Sequence, residues 1–157
     1  MEKYHTRSFR VFNTLTKFVM LLSVFFFSAT SYAQVTQISA GFEHSIFVCN
    51  NNTVMGCGLN HLGQLGIGSI TANETSVVNT NLLSDVISTS SGGSFTLFLK
   101  NDGTVWATGA NASGQLGNGD TLNVFSPVQL DSLSDIIAVS AGASHSLFLK
   151  SDSTVWV

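Results

Sequence analysis

Two dipeptides, His44-Ser45 and His145-Ser146, set an imidazole beside a hydroxyl, the materials of a general base and a nucleophile. That chemistry also needs an acid to orient the imidazole, and the sequence places none beside either pair. Both histidines occupy one phase of a longer recurrence, and its middle copy carries Phe95 there. A position that accepts phenylalanine serves the fold, so no catalytic residue is assigned and no enzyme is expected. GQLGIG (63–68) and GQLGNG (114–119) have the glycine density of a phosphate cradle. They lack the following Lys-Ser/Thr and precede no helical pattern, so their glycines are read as turn formers with positive φ.

Asp102, Asp120 and Asp152 stand beside Gly, Ser or Asn, where a carboxylate caps a turn. No D-x-[DN]-x-[DN]-G run provides the closely spaced oxygens of a calcium loop. Cys49 and Cys57 are the only cysteines. On one hairpin they would sit about 13 Å apart, beyond the roughly 7 Å that a disulfide bridges, so both read as small apolar side chains. No His or Cys partners give metal-ligand spacing. No cofactor and no metal are expected. Three Asn-x-Ser/Thr patterns, at Asn51, Asn73 and Asn111, receive no function in so asparagine-rich a chain.

The elements that carry these residues repeat. ISAGFEHSIFV from Ile38, TSSGGSFTLFL from Thr89 and VSAGASHSLFL from Val139 align, with Gly41, Gly92 and Gly142 at offsets of 51 and 50. NTVMGCGLNHLGQLGIG from Asn52 aligns with GTVWATGANASGQLGNG from Gly103, and the third copy reads STVWV to Val157. The one extra residue falls in GSITANETS, a polar stretch read as a loop, where insertions are tolerated. A period near 50 suits a blade of strands. SIFV, TLFL and SLFL are short apolar runs without alternation, which implies burial on both faces. TVMGC, TVWAT and TVWV are β-branched and aromatic, and CNNNT, KNDGT and KSDST between the runs signal tight hairpins. Pro127 is expected at the start of an edge strand, PVQL. A strand buried on both faces needs a sheet stacked on each side. The expected class is all-β: a partial β-propeller of two complete four-stranded blades plus the start of a third, with repeats over about 38–88, 89–138 and 139–157.

Ahead of the repeats, Lys3, Arg7, Arg10 and Lys17 precede an apolar run, Phe18 to Phe27, and then SATSYA up to Ala33. That order is a secretory signal peptide, expected as a helix over 1–33 with cleavage after Ala33. Its apolar core of about 10 residues falls short of the roughly 20 that span a bilayer, so no membrane span is expected after cleavage. Beyond Ala33 only Lys100 and Lys150 face eight carboxylates, a net charge of −6. Nucleic-acid binding, which relies on cations displacing counterions, is disfavoured. The expected location is secreted or at the cell surface.

GFEHSIFV, GASHSLFLKSDSTVWV and VWATGANASGQLGNGD resemble the regulator of chromosome condensation repeats, over Val35 to Val157. The marks are G-x-x-H-S at Gly41–Ser45 and Gly142–Ser146, and N-x-x-G-Q-L-G at Asn60–Gly66 and Asn111–Gly117. The middle copy departs at Phe95, and Met55 stands where Trp106 and Trp156 recur. The resemblance implies blades of a seven-bladed propeller, of which this chain holds a part, so it reads as a fragment of a longer product or as an arc that self-associates. Its structural motif residues are Gly41, His44, Gly63, Gln64, Gly66, Gly92, Trp106, Gly114, Gln115, Gly117, Gly142, His145 and Trp156. Some members exchange guanine nucleotides on small GTPases, and some secreted ones inhibit β-lactamases. The favoured expectation is a non-catalytic binding module for an extracellular protein or glycan. Propellers bind through loops, so His61, Leu62, Asn73 and Glu74 in one loop and Asp120, Leu122, Asn123 and Phe125 in the next are the candidate contacts.

Overall fold

The computed structural model describes residues 34–80 and 82–157. The expected signal peptide, 1–33, lies outside them. Eleven strands and no helix make up the described residues. The strands are β1 (Val35–Ala40), β2 (His44–Cys49), β3 (Val54–Asn60) and β4 (Thr71–Asn79), then β5 (Val86–Ser91), β6 (Phe95–Lys100), β7 (Val105–Gly109) and β8 (Val124–Gln129), and finally β9 (Ile136–Ala141), β10 (Ser146–Lys150) and β11 (Val155–Trp156). They form antiparallel sheets β1-β2-β3-β4, β5-β6-β7-β8 and β9-β10-β11. These are blades 1, 2 and 3 of a partial propeller. Strands open at Val35, Val86 and Ile136, so residues 38, 89 and 139 fall inside the first strand of each blade.

The hairpins form where expected, and for a local reason. In each, the third turn residue is left-handed: Asn52 (φ 59°), Gly103 (φ 79°) and Ser153 (φ 68°). Lys100 N–H donates to the Thr104 carbonyl at 3.0 Å, and the Cys49–Thr53 and Lys150–Thr154 pairs repeat this at 2.9 Å. The threonine hydroxyl then donates to Asn51 (2.7 Å), Asp102 (2.6 Å) or Asp152 (2.6 Å). All three expected turn-capping carboxylates are real: Asp120 Oδ1 accepts Leu122 N–H at 2.9 Å, and Asp102 and Asp152 cap two of these hairpins. In both, the threonine hydroxyl, followed by its backbone N–H, holds the exposed carboxyl below its ordinary range.

Two expectations need correction. GSITANETS is not all loop, because β4 starts at Thr71 and pairs Asn60 with Thr71, Leu59 with Asn73 and Gly58 with Glu74. Thr and Val content outweighs the polar pattern there, and an outermost strand with one wet side accepts polar residues. Pro127 lies not at the start of its strand but fourth in β8, within the irregular register that pairs Ala107 with Val128 and Gly109 with Val124. The disrupted ladder spares a partner for the missing N–H, and β8 is an edge. The cysteines are free, and Cys57 pairs with Ser45.

The core lies between blades. Phe98 of blade 2 is buried with Ile46, Val48, Val54 and Leu65 of blade 1. Phe148 of blade 3 is buried in the same way with Leu97, Leu99, Val105 and Leu116 of blade 2. Burying one such phenylalanine stabilises by about 1.5–3 kcal/mol. β6 is buried along both faces because it has a neighbour on each side.

Candidate functional site

The recurrent motif residues converge on the seams between blades. Gly41 N–H donates to the His44 carbonyl at 2.9 Å, and a Cβ on Gly41 would lie 2.2 Å from the His44 ring. Gly92 bears the same relation to Phe95, at 2.0 Å, and Gly142 to His145, at 2.2 Å. The G-x-x-[His/Phe] spacing thus seats a flat ring on a bare backbone. That explains why Phe95 can stand where His44 and His145 do.

His44 is buried, and Nε2 lies 2.9 Å from Thr96 Oγ1. Thr96 commits its own proton to the Gln64 carbonyl at 2.8 Å, so the imidazole must donate through Nε2. Nδ1 is buried without a partner. Burial lowers the His44 pKa to about 4, which keeps the ring neutral. No acid orients it, and its one polar contact is a hydroxyl that is already donating. The arrangement stitches blade 1 to blade 2, and it cannot activate Ser45.

The N-x-x-G-Q-L-G loops work the same way. Asn60 Oδ1 accepts Leu65 N–H at 3.0 Å, and its amide donates to the Ser69 carbonyl at 2.9 Å. Asn111 repeats this with Leu116 N–H and Asp120, each at 2.9 Å. Gln64 and Gln115 accept N–H groups two residues back, at 3.0 and 2.8 Å. The loop of blade 1 then crosses to blade 2, where the Gly63 carbonyl accepts from Thr108 at 2.9 Å. In blade 2 the Gln115 carbonyl accepts from Ser146 of blade 3. A Cβ on Gly63 would meet the Phe125 backbone at 2.6 Å, so its positive φ (80°) and close approach both require glycine. Asn60 and Asn111 were legible as the openers of a recurrent motif, but nothing local announced that they hold the whole loop. Their amides also leave Asn111 buried as a glycan acceptor.

The candidate contact residues divide. Antiparallel strands alternate ends, so the β1–β2 turns and the β3–β4 loops share one end of the blades. His61 and Leu122 are exposed there, and Leu62 is half-buried. Asn73 and Glu74 belong to strand β4, and Phe125 to strand β8, rather than to loops. Asp120 Oδ1 accepts from Leu122 N–H and Asn111, and Asn123 Oδ1 accepts from Asn111 N–H, each at 2.9 Å. Those two side chains shape the loop. Phe42, which sequence reasoning passed over, is 76% exposed on the β1–β2 turn at the same end as Leu122, 72% exposed. Its signal was an aromatic residue where the other copies have Gly93 and Ala143. The three turns enclose a shallow recess of about 240 Å³ between Ala40–Phe42, Ser91–Gly93 and Ala141–Ala143, and it contains no titratable group. Among the described residues no group of three His, Cys, Asp or Glu could hold a metal ion.

The regulator of chromosome condensation (RCC1) repeat matches residues 102–149, and a second form of the same repeat matches 35–64 and 86–115. The chain belongs to this repeat family. Among curated proteins it is similar to the human X-linked retinitis pigmentosa GTPase regulator, 41% identical over 85 residues, 54% of this chain and 8% of that protein. It is also similar to the ultraviolet-B receptor UVR8 of Arabidopsis thaliana, 31% identical over 97 residues, 60% of this chain and 22% of the receptor. The chain thus spans a small share of these relatives. Among solved structures, yeast RCC1 (Prp20) bound to Kap60 superposes with a TM-score of 0.70 at 23% identity, covering 78% of this chain and 31% of that one. Human WBSCR16 gives a TM-score of 0.70 at 25% identity, covering 78% and 32%. In this RCC1-repeat chain, the shared motifs are the seam and loop bonds described above.

Proposed function

We propose that this chain is a non-catalytic, exported propeller module that binds a protein partner through the loop end of its blades. The observation that carries the reading is the division of labour among side chains. The recurrent His44, Asn60, Gln64, Asn111 and Gln115 are occupied by seam and loop hydrogen bonds. The residues that differ between copies, with Phe42 and Leu122 foremost, stand exposed on a rigid end. Protein partners are in keeping with the family: Prp20 has been solved with Kap60 and studied for binding to Gsp1p and histones. Export follows from the basic, apolar and small-residue order of 1–33.

The test is capture of proteins from the host's medium and surface by the full chain, beside Phe42→Asp and Leu122→Asp variants. A protein retained by the wild type and lost from both variants is expected. Equal capture by all three would remove the loop end from consideration. Mass measurement of the mature N-terminus, expected at Gln34, tests export separately.

A second reading is favoured by the likeness to a GTPase regulator. In it, the chain promotes nucleotide release from a small GTPase. Accelerated release at saturating protein would support it and displace the exported binding role.

A further inference from the structure

The β3–β4 type loop of blade 2 carries a chemical linkage that its counterpart in blade 1 lacks. Asn118 precedes Gly119 there, the single Asn-Gly pair in the chain, where the same phase of blade 1 reads Ile67-Gly68. An asparagine amide is an electrophile that the next residue's backbone nitrogen can reach by closing a five-membered ring. A side chain on that next residue obstructs the approach, and every other asparagine is followed by a residue that bears one. Gly119 removes the obstruction: a Cβ there would meet nothing within 4 Å, and its φ of 86° belongs to glycine. The nucleophile is uncommitted as well, since Gly119 N–H makes no hydrogen bond among the described residues. In the related Asp102-Gly103 pair, Gly103 N–H is tied to the Lys100 carbonyl at 3.0 Å. Thr104 also keeps Asp102 ionised there, and a carboxylate resists attack. Asn118 Oδ1, by contrast, accepts from Asn111 Nδ2 at 2.9 Å and from Asp120 N–H at 3.4 Å. Both donors face the oxygen on which negative charge builds when the amide carbon is attacked, as the donors of an oxyanion hole do.

We propose that Asn118-Gly119 is a self-modification site, at which the folded chain converts asparagine to aspartate or isoaspartate with water as the only co-reactant. The Gly119 backbone nitrogen gives its proton to solvent and bonds to the Asn118 amide carbon. The bond from that carbon to Nδ2 breaks, and Nδ2 takes up a proton and leaves as ammonia. Water then opens the succinimide by breaking one of its two carbon–nitrogen bonds. Breaking the bond to Cγ gives aspartate, and breaking the bond to the main-chain carbon gives isoaspartate. Either product changes the loop. A carboxylate at position 118 shares Asn111 Nδ2 with Asp120 Oδ1, also 2.9 Å from it, so two like charges crowd one amide. Isoaspartate further adds a carbon to the main chain just ahead of Asp120, whose Oδ1 accepts Leu122 N–H at 2.9 Å. The reaction therefore loosens the segment that presents exposed Leu122. That this weakens partner binding rests on the loop-end reading above; the chemistry does not.

The full chain, kept folded in mildly alkaline buffer, is sampled over days by peptide-resolved mass spectrometry, with isoaspartate scored by an isoaspartyl methyltransferase. Conversion is expected at Asn118 ahead of every other asparagine, and faster as the pH rises and hydroxide removes the Gly119 proton. Gly119→Ala, whose methyl enters open space, should suppress it. Asn118→Gln should lose it, because the longer side chain closes its ring far more slowly. Asn118→Asp, one product made directly, should exchange the Leu122 amide proton faster than the wild type does. An Asn118 that stays intact in the folded chain overturns the proposal, most plainly if the urea-unfolded chain converts, since the loop then protects the linkage. Conversion of Gly119→Ala at the wild-type rate overturns it too, and unchanged Leu122 exchange in Asn118→Asp overturns the loosening. Should Gly119→Ala fail to fold, Asn118→Gln and the comparison of folded with unfolded chain still decide. None of these readouts involves a partner, so their failure is distinct from a failure of the binding reading.

Discussion

His44 reaches across 52 residues of sequence to place Nε2 2.9 Å from the Thr96 hydroxyl, which itself donates to the Gln64 carbonyl at 2.8 Å. Three residues from two blades thus share one hydrogen-bonded line, inside a buried seam.

Thr96→Val keeps the volume and removes the hydroxyl. It strands the Gln64 carbonyl and the His44 donor in a buried seam. We expect a loss of about 1–3 kcal/mol in urea unfolding. A loss below a few tenths would show that the line contributes nothing net.

Acid should weaken the fold through His44. Its pKa falls from 6.5 in the unfolded chain to about 4 in the folded one. Between those values the unfolded chain binds the proton more readily, so stability is full above pH 6.5 and declines as the pH drops toward 4. The decline attributable to this group is about 3 kcal/mol. His44→Phe, which copies the ring found at Phe95, should flatten that part of the pH–stability curve. It should leave stability at pH 7 within about 1 kcal/mol. A curve of unchanged slope in the variant would refute the assignment.

Gly92→Ala should be harmful. The new methyl would sit 2.0 Å from the Phe95 ring and 2.6 Å from the Gly142 carbonyl oxygen, and one of those is backbone of the next blade. We expect about 1–3 kcal/mol of destabilisation by thermal or urea melting. Gly119→Ala, with nothing within 4 Å but φ at 86°, is the control. It should lose only the left-handed penalty of about 1 kcal/mol.

The hairpin turns allow a gain. Ser153 holds φ at 68° where its counterpart is Gly103 at 79°. Ser153→Gly should stabilise blade 3 by up to about 1 kcal/mol, and Gly103→Ser should cost about as much in blade 2. Amide hydrogen exchange at Lys150 and Lys100, whose N–H groups close the two turns, reads each effect locally.

The unpaired Nδ1 of His44 and Nε1 of Trp106 mark seams that are tight rather than ideally satisfied. Lys100 lies 5.6 Å from the Trp106 ring centre and Lys150 5.5 Å from that of Trp156. The two cations of the repeat region therefore cover the two tryptophans.

The strand and hairpin pattern was legible because it is local. Phe98 and Phe148 advertise buried strands by their apolar runs, and Asn52, Gly103 and Ser153 advertise turns by residue type. β4 was harder to read. Thr71 to Ser76 carry Asn, Glu and Ser because an outermost strand wets one side, and that composition is also the composition of a loop. The contact residues were harder still. Asp120 and Asn123 look free in sequence, yet both bond to Asn111, while Phe42 stands at a variable position of G-x-x-H-S, where the motif draws notice to its neighbours.

From the order of residues alone came the period, the all-β class and the family, since each rests on spacing within one copy or between copies. Only the packed blades decided what the recurring residues are for. A glycine three positions before a ring has no visible purpose until the ring lies on it. His44 and Thr96 become partners only when adjacent blades stack face to face. The reason is physical: the stabilising contacts of a propeller lie between repeats, and linear distance says nothing about which side chains will share a seam.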